Sequence, residues 1–211
     1  MDEKIDILDR SGNPTGEVAW KSEAHRRGLW HRCFHCWISG EDEKGPYLLV
    51  QRRAKEKDVF PGCLDVTAAG HIRSGEGVIE GGLRELEEEL GIRAAPGGLI
   101  PLGTRRIEQK IPGGLDREFH EVFLLLDPTP PGRLRLQRGE VEAVLRISLD
   151  GVERVGSGGK ATARVWSGGG WRSEEVGLCD FVPNEDGYLA RVARAAREVL
   201  SGRHPGRISQ P

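Results

Sequence analysis

Short apolar runs and a few segments with helical spacing alternate along the chain. Apolar and aromatic runs bounded by turn or charged residues predict strands at 4–9, 30–38, 47–53, 65–69, 99–111, 118–126 and 141–148. Segment 18–27 is predicted to be a short helix or irregular structure, and segment 149–155 a short helix. The apolar stripe of 188–200 predicts a further helix. A further helix lies in the middle of the chain. Strands on both sides of this central helix predict an α/β sheet packed by helices.

The central helix carries two stripes of different chemistry. Its apolar stripe consists of three leucines spaced at i, i+3 and i+7: Leu83, Leu86 and Leu90. Its acidic stripe consists of three glutamates spaced at i, i+3 and i+4: Glu85, Glu88 and Glu89. Like charges at this spacing destabilise an isolated helix by roughly a few tenths of a kcal/mol. The acidic stripe is either a solvated face, the usual case, or a site for Mg²⁺ or Mn²⁺, which prefer carboxylate oxygens.

The residues around the helix favour the cation site. Nine positions at fixed spacing resemble the Nudix box: Gly70, Glu76, Arg84, Glu85, Leu86, Glu88, Glu89, Gly91 and Ile92. The resemblance implies the Nudix fold, an α/β fold whose mixed β-sheet is sandwiched between α-helices, here with an N-terminal extension and a C-terminal helix. It also implies a hydrolase that cleaves the P–O–P bond of a nucleoside diphosphate derivative or a related organic diphosphate.

The resemblance assigns a metal-binding role to several box residues. The implied ligands of Mg²⁺ (or Mn²⁺) are the carboxylates of Glu85, Glu88 and Glu89 and the backbone carbonyl of Ala69. Arg84 would orient these carboxylates. Glu76 would fix the junction between loop and helix, after the loop that starts at Gly70, and Gly91 would end the helix.

Residues outside the helix complete the implied site. The base that activates water is either Glu121, on a strand after the box, or Glu85. Arg52, Arg53 and Lys57 would bind the distal phosphate, although a solvated basic loop is the alternative for the lysine.

The segments flanking the box look like the isopentenyl-diphosphate isomerase branch of the Nudix proteins. The matching pieces include His31, Phe60-Pro61-Gly62, Gly70-His71 and Glu121-Val122. Those isomerases carry a catalytic cysteine immediately before Gly-His, whereas this chain has Ala69 there. The box itself is intact, which favours a hydrolase with an isomerase-like frame. The isomerase and a non-catalytic diphosphate-binding module remain the alternatives.

Three histidines approximate the metal ligands of the isomerases. They are His25, His31 and His71. Of the two glutamates that accompany them in that branch, Glu121 matches one, and the other falls on Phe119. With one carboxylate missing, the sequence leaves open whether this set binds a second metal ion.

The overall composition excludes several classes of protein. The 211 residues carry a formal net charge of −2, which does not favour binding to a nucleic-acid polymer or a membrane surface. No apolar run is long enough to span a membrane, and the acidic N-terminus lacks an apolar signal core. We therefore expect a cytoplasmic protein. The resemblance implies a small-molecule diphosphate as its partner, and both a monomer and a homodimer remain open. Cys33 and Cys36, three positions apart in a predicted strand, should face opposite sides of the sheet.

The chain length suits one domain. We expect a single domain over 1–201, with its core at about 28–150, an inserted hairpin at about 156–178, a C-terminal helix at about 186–201 and a disordered tail over 202–211. The inserted hairpin is glycine-rich at both ends. It is either a surface excursion without a role or a flap that places Trp166 or Trp171 against the substrate.

Overall fold

The computed structural model describes residues 2–184 and 186–208. The strands are β1 (Lys4–Leu8), β2 (Pro14–Trp20), β3 (Trp30–Asp42), β4 (Gly45–Arg53), β5 (Leu64–Asp65), β6 (Ala68–His71), β7 (Leu99–Ile111), β8 (Gly114–Leu126), β9 (Val141–Ser148), β10 (Lys160–Ser167) and β11 (Gly170–Gly177). The helices are α1 (Lys21–Arg27), α2 (Val78–Leu90), α3 (Leu149–Gly156) and α4 (Tyr188–Leu200).

The sheet is built around β3, whose apolar and aromatic residues are buried on both faces. Its main strand order is β11-β10-β9-β4-β3-β1-β2, and β6 and β8 also pair with β3. The β3–β8 pair is parallel and runs from Trp30–Arg117 to Ser39–Leu126, whereas the other pairs between named strands are antiparallel. The mixed sheet predicted from the resemblance is therefore confirmed.

Helices cover the two faces of this sheet. Successive residues of a strand point to opposite faces, so Phe34 and Trp37 belong to different cores. Phe34 packs with Leu86 and Leu90 of α2, while the core around Trp37 includes the buried residues of α3 and α4. The predicted sandwich of a sheet between helices is confirmed.

The central helix lies unusually close to the sheet. A Cβ atom built on Gly82 would lie 2.2 Å from the ring of Phe34, so only glycine fits there without a shift of one partner. The helix ends at Gly91, which adopts φ 71° and caps the last turn through its N–H. The predicted apolar stripe faces the core, since Leu86 and Leu90 are fully buried.

Several elements differ from the expectations. Val18–Trp20, expected as helix or irregular structure, ends strand β2, because residues 18–20 pair with β1. The tail is not disordered as far as residue 208: Ile208 is buried in the main core and its N–H donates to the carbonyl of Leu102 at 2.8 Å. Residues 209–211 lie outside the described residues.

The glycine-rich hairpin forms β10 and β11 and extends the sheet from β9. Trp166 packs against the core under α2, and its ring meets that of Trp171 edge to face at 5.3 Å. Among the described residues that line the main cavity, none comes from this hairpin. The hairpin therefore lies at the edge of the sheet. It does not form the flap over the substrate that was one of the two expectations.

Candidate metal centres and active-site cavity

A cavity of about 1400 Å³ lies between the second half of α2 and the β7–β8 hairpin. One wall carries the three glutamates of the acidic stripe, and the opposite wall carries histidines from α1, β3, β6 and β8. Arg53 and Lys57 also line the cavity. The cavity thus brings together an acidic wall, a histidine-rich wall and the two basic residues, which we call the basic rim.

The acidic wall is formed where α2 meets β6. Glu85 and Glu89 are buried, while Glu88 is exposed. A Cβ atom on Gly70 would lie 2.1 Å from the carboxyl carbon of Glu85, so the missing side chain makes room for this carboxylate. The carboxylate of Glu89 accepts hydrogen bonds from the backbone N–H of Ala69 and the side chain of Gln51, both at 3.3 Å. Glu85 and Glu89 therefore both lie against β6, at Gly70 and at Ala69.

Arg84 connects the acidic stripe to the loop before it. Its guanidinium donates to Glu76 at 2.9 Å, to Glu85 at 2.6 Å, to Glu88 at 3.3 Å and to the carbonyl of His71 at 3.1 Å. Hydrogen bonding from Arg84 outweighs burial and lowers the pKa of Glu76. These contacts agree with the orienting role expected for Arg84 and the structural role expected for Glu76.

The two buried glutamates suit a cation. Burial raises the pKa of Glu85 to about 7, against the opposing effect of Arg84. Burial and the charge of Glu85 raise the pKa of Glu89 to about 8. A divalent cation among these oxygens would offset that desolvation and repulsion, so the residues present fit Mg²⁺ or Mn²⁺.

Two predicted site residues lie elsewhere. Glu121 points to the face of β8 opposite Glu118, where it accepts a hydrogen bond from Thr104 at 2.8 Å and pairs with Arg32 at 3.3 Å. Arg52 pairs with Glu174 of β11. The structure brings neither side chain to the cavity.

The other two basic residues are at the cavity but are partly neutralised. Arg53 donates to Asp65 at 2.9 Å and to the carbonyl of Val59. Lys57 pairs with Glu140.

The opposite wall brings the three histidines together with two carboxylates. The ring centroids of His25, His31 and His71 lie 5.1–5.4 Å from one another. Glu118 Oε1 lies 3.3 Å from His31 Nε2 and 3.2 Å from His71 Nε2. Asp116 Oδ1 lies 3.6 Å from His25 Nε2 and 3.8 Å from His31 Nε2. Such separations match the edges of a coordination polyhedron around an ion about 2.0–2.2 Å from each ligand atom.

Four atoms of this histidine centre are buried and lack a hydrogen-bond partner within the described chain: the Nε2 atoms of His25, His31 and His71, and Oδ1 of Asp116. Buried polar atoms without partners are costly, and a shared ion would satisfy all four. His31 Nδ1 lies 3.0 Å from the carbonyl of Leu29, which leaves Nε2 as its ligand atom.

The charge states of this centre also suit a metal ion. Burial lowers the pKa of both His25 and His71 to about 4, so these rings are neutral at pH 7. The hydrogen bond from His120 and the close approach of His31 and His71 outweigh burial and hold the pKa of Glu118 well below its usual range. His31 differs: burial opposes it, but the contact and charge of Glu118 raise the pKa of this ring. Two neutral imidazoles beside a carboxylate favour Zn²⁺, Mn²⁺ or Fe²⁺.

The histidine centre therefore has the second carboxylate that the match to the isomerases lacked. The expectation that Glu121 and position 119 correspond to the isomerase glutamates is incorrect, because the parallel pairing sets His31 opposite Glu118. Asp116 and Glu118, two residues apart on one face of β8, occupy the site instead. The alternation Asp-x-Glu-x-His over 116–120 was the sequence signal that could have identified them.

A second layer of polar residues behind Glu118 was not anticipated. His120 is hydrogen-bonded to Glu118, and His35 stacks on His120 at 3.7 Å. Cys33 faces the cavity and donates to the carbonyl of Gly70 at 3.1 Å, whereas Cys36 packs in the core under α2. The two cysteines face opposite sides of β3, as predicted.

Comparison with known proteins agrees with the geometry. The model of the NUDIX domain matches residues 29–164. An uncharacterized Nudix hydrolase of Clostridium acetobutylicum is 37% identical over 201 residues, covering 92% of this chain and 97% of that protein. An isopentenyl-diphosphate Delta-isomerase of Aliivibrio fischeri is 29% identical over 167 residues, which cover 79% of this chain and 91% of that protein.

Solved structures support the fold. A Deinococcus radiodurans protein of known crystal structure aligns with a TM-score of 0.55 at 21% identity, covering 72% of this chain and 86% of that one. Within the described residues, no helix is both long and apolar enough to cross a membrane. The domain match and the Clostridium relative, taken with the intact acidic stripe, establish that the chain belongs to the Nudix hydrolase family.

Proposed function

We propose that the protein hydrolyses the P–O–P bridge of an organic diphosphate, such as a nucleoside diphosphate derivative, with divalent cations. The observation that carries this proposal is the pair of buried carboxylates, Glu85 and Glu89, facing the same cavity as Arg53 and Lys57. Buried carboxylates need a cation, and a bound diphosphate needs positive charge, so both requirements meet in one place.

Each residue of the acidic wall has a role in this proposal. Mg²⁺ or Mn²⁺ bound there would neutralise phosphate charge and favour ionisation of an attacking water. Glu85, Glu88 and Glu89 bind the cation, with Ala69 contributing its backbone carbonyl, and Arg84 keeps the carboxylates in position. Glu85 is the candidate base that remains in the cavity, since Glu121 lies on the other face of β8.

The basic rim and the histidine centre would hold the substrate. Arg53 and Lys57 bind the distal phosphate, and their present partners, Asp65 and Glu140, keep them at the cavity. The histidine centre faces the same cavity and would hold a second divalent ion, supported by its four unpartnered atoms.

Substitutions within α2 test the proposal. Glu89→Gln should lower kcat by about 10³-fold, or about 4 kcal/mol, because one charged ligand is lost without a change in shape. Glu87→Gln is the matched control, since Glu87 is exposed on the same helix and pairs only with Arg93 among the described residues. Phosphate release would be followed across a panel of diphosphates at saturating Mg²⁺. Equal activity of both variants on the best substrate would refute the assignment.

Isomerisation of isopentenyl diphosphate to its allylic isomer is the second candidate function. A thiol does face the cavity, from Cys33 on the strand next to Ala69, and it groups with His35 and Glu118 within 4.8 Å. Such a thiol and carboxylate could give a proton to one carbon and remove one from another. Proton NMR of isopentenyl diphosphate with the enzyme separates the two: an allylic product without phosphate release favours the isomerase, and phosphate release favours the hydrolase.

A further inference from the structure

We propose that Arg105 and His120 are positioning residues that orient Glu118 toward the histidine centre, and that Asp186, just before α4, anchors them. The inference rests on the proposed role of the histidine centre as a metal site. It concerns residues that the family motif does not include.

The chain of contacts is continuous. Asp186 binds Arg105 through two hydrogen bonds, at 2.8 Å to Nε and 3.1 Å to Nη2. Arg105 Nη1 lies 3.4 Å from His120 Nδ1, and His120 Nε2 lies 2.5 Å from Glu118 Oε2. The other oxygen of Glu118 faces His31 and His71.

The chemistry of arginine fixes which group donates and which accepts in each of these hydrogen bonds. A guanidinium only donates hydrogen bonds, so Nδ1 of His120 must accept from Arg105. A histidine that accepts at Nδ1 carries its proton on Nε2, and that N–H is the donor to Glu118 Oε2. Glu118 is thereby held as an acceptor at Oε2, and Oε1 is left for an ion. His120 itself is a donor at Nε2 and therefore positions the ligand without being one.

Packing holds the side chains of this series of contacts in place. His120 and Arg105 are buried, and the ring of Tyr188 lies 4.3 Å from the guanidinium carbon of Arg105. The ring of His35 stacks on that of His120, with the two ring centroids 3.7 Å apart. The position of Glu118 thus depends on Arg105 of β7 and on a segment nearly 70 residues further along the chain. Partners behind metal ligands typically change metal affinity by about 10–100-fold when removed.

The test measures metal affinity as well as activity. The Zn²⁺ affinity of the full-length protein is measured by titration against a chromophoric chelator. The binding that is lost in His71→Ala is the binding at the histidine centre. His120→Phe keeps an aromatic ring against His35 but removes the donor, and Arg105→Met removes the donor to His120. Each should weaken Zn²⁺ binding about 10–100-fold. Arg106→Met is the matched control: its exposed side chain stacks on Trp30 at 4.4 Å, and Zn²⁺ affinity should stay within twofold.

A measurement on the unmodified protein tests the proposal even if the variants do not fold. Nitrogen-15 NMR should show His120 as the Nε2–H tautomer in the wild type. An Nδ1–H tautomer overturns the proposal, as does unchanged Zn²⁺ affinity in folded His120→Phe and Arg105→Met. A wild type that hydrolyses diphosphate yet binds no Zn²⁺ at the histidine centre also overturns it, while leaving the function of the acidic wall intact.

Discussion

The acidic wall and the histidine centre face one cavity with different ligand chemistry. The acidic wall offers oxygen atoms alone, from three carboxylates of which Glu85 and Glu88 pair with Arg84, and oxygen ligands select hard cations such as Mg²⁺. The histidine centre offers three imidazole nitrogens with Asp116 and Glu118, and imidazole selects transition metals and Zn²⁺. The comparison suggests two ions of different kinds, one bound by each wall.

The largest effect should come from removing the nitrogen ligands. The double substitution His31→Ala with His71→Ala leaves one histidine, and Zn²⁺ affinity should fall by at least about 10³-fold, which is about 4 kcal/mol. Mg²⁺ activation should be retained, because the acidic wall is untouched. Isothermal titration with each ion measures both values. Equal losses of Zn²⁺ and Mg²⁺ binding would mean that the two walls hold a single shared site.

A methyl group at Gly70 tests the acidic wall. Gly70→Ala would bring a Cβ atom within 2.1–2.5 Å of the Glu85 carboxylate and displace it. We expect kcat to fall about 100-fold, or about 2.7 kcal/mol, with Zn²⁺ affinity changed far less. Steady-state kinetics together with Zn²⁺ titration decide the point. The accompanying control is Gly75→Ala in the same loop, which has open space around its Cβ position but a strained φ of 80°, so only stability should change.

The close approach of helix and sheet predicts a smaller, purely structural effect. Gly82→Ala would force a Cβ atom against Phe34 and should lower the free energy of unfolding by about 1–3 kcal/mol. Urea denaturation measures this loss. The double variant with Phe34→Leu should recover part of the stability, and a lack of recovery would show that the ring is not the obstacle.

The smallest effect is the pH dependence of the Arg105–Asp186 pair. Burial tends to raise the pKa of Asp186, but the hydrogen bonds and charges of Arg105 and, to a lesser extent, Arg191 outweigh it, and the net pKa is lowered below 3.8. A lowered folded-state pKa stabilises the protein above pH 3.8, and this contribution is lost as the pH falls through the folded-state value.

Asp186→Asn should therefore be less stable than the wild type by about 1 kcal/mol at pH 7. The difference should shrink below pH 3.8. Thermal unfolding at both pH values tests this, and a difference that stays constant or grows in acid would contradict it.

The two walls also differ in how far they follow from sequence. The acidic wall is local: the spacing of Leu86, Leu90 and Glu89 places apolar and acidic stripes correctly, because helix periodicity alone fixes them. The histidine centre depends on the register between β3 and β8, and a shift of one residue moves every side chain to the other face. For this reason the resemblance points to Glu121 and misses Glu118. Contacts such as Arg105–Asp186 join distant segments and leave no periodic signal.

The route of the last segment has a consequence for biosynthesis. As the chain is translated, the acidic stripe and the histidine centre are both synthesised by residue 118, whereas Asp186 and Tyr188 follow much later. Domains tend to fold as units during or after synthesis. Until α4 has been made, Leu189 and Val192 cannot cover the core around Trp37. A nascent chain would therefore display metal-binding side chains before their support exists, and metal acquired at that stage would be bound by an incompletely ordered site.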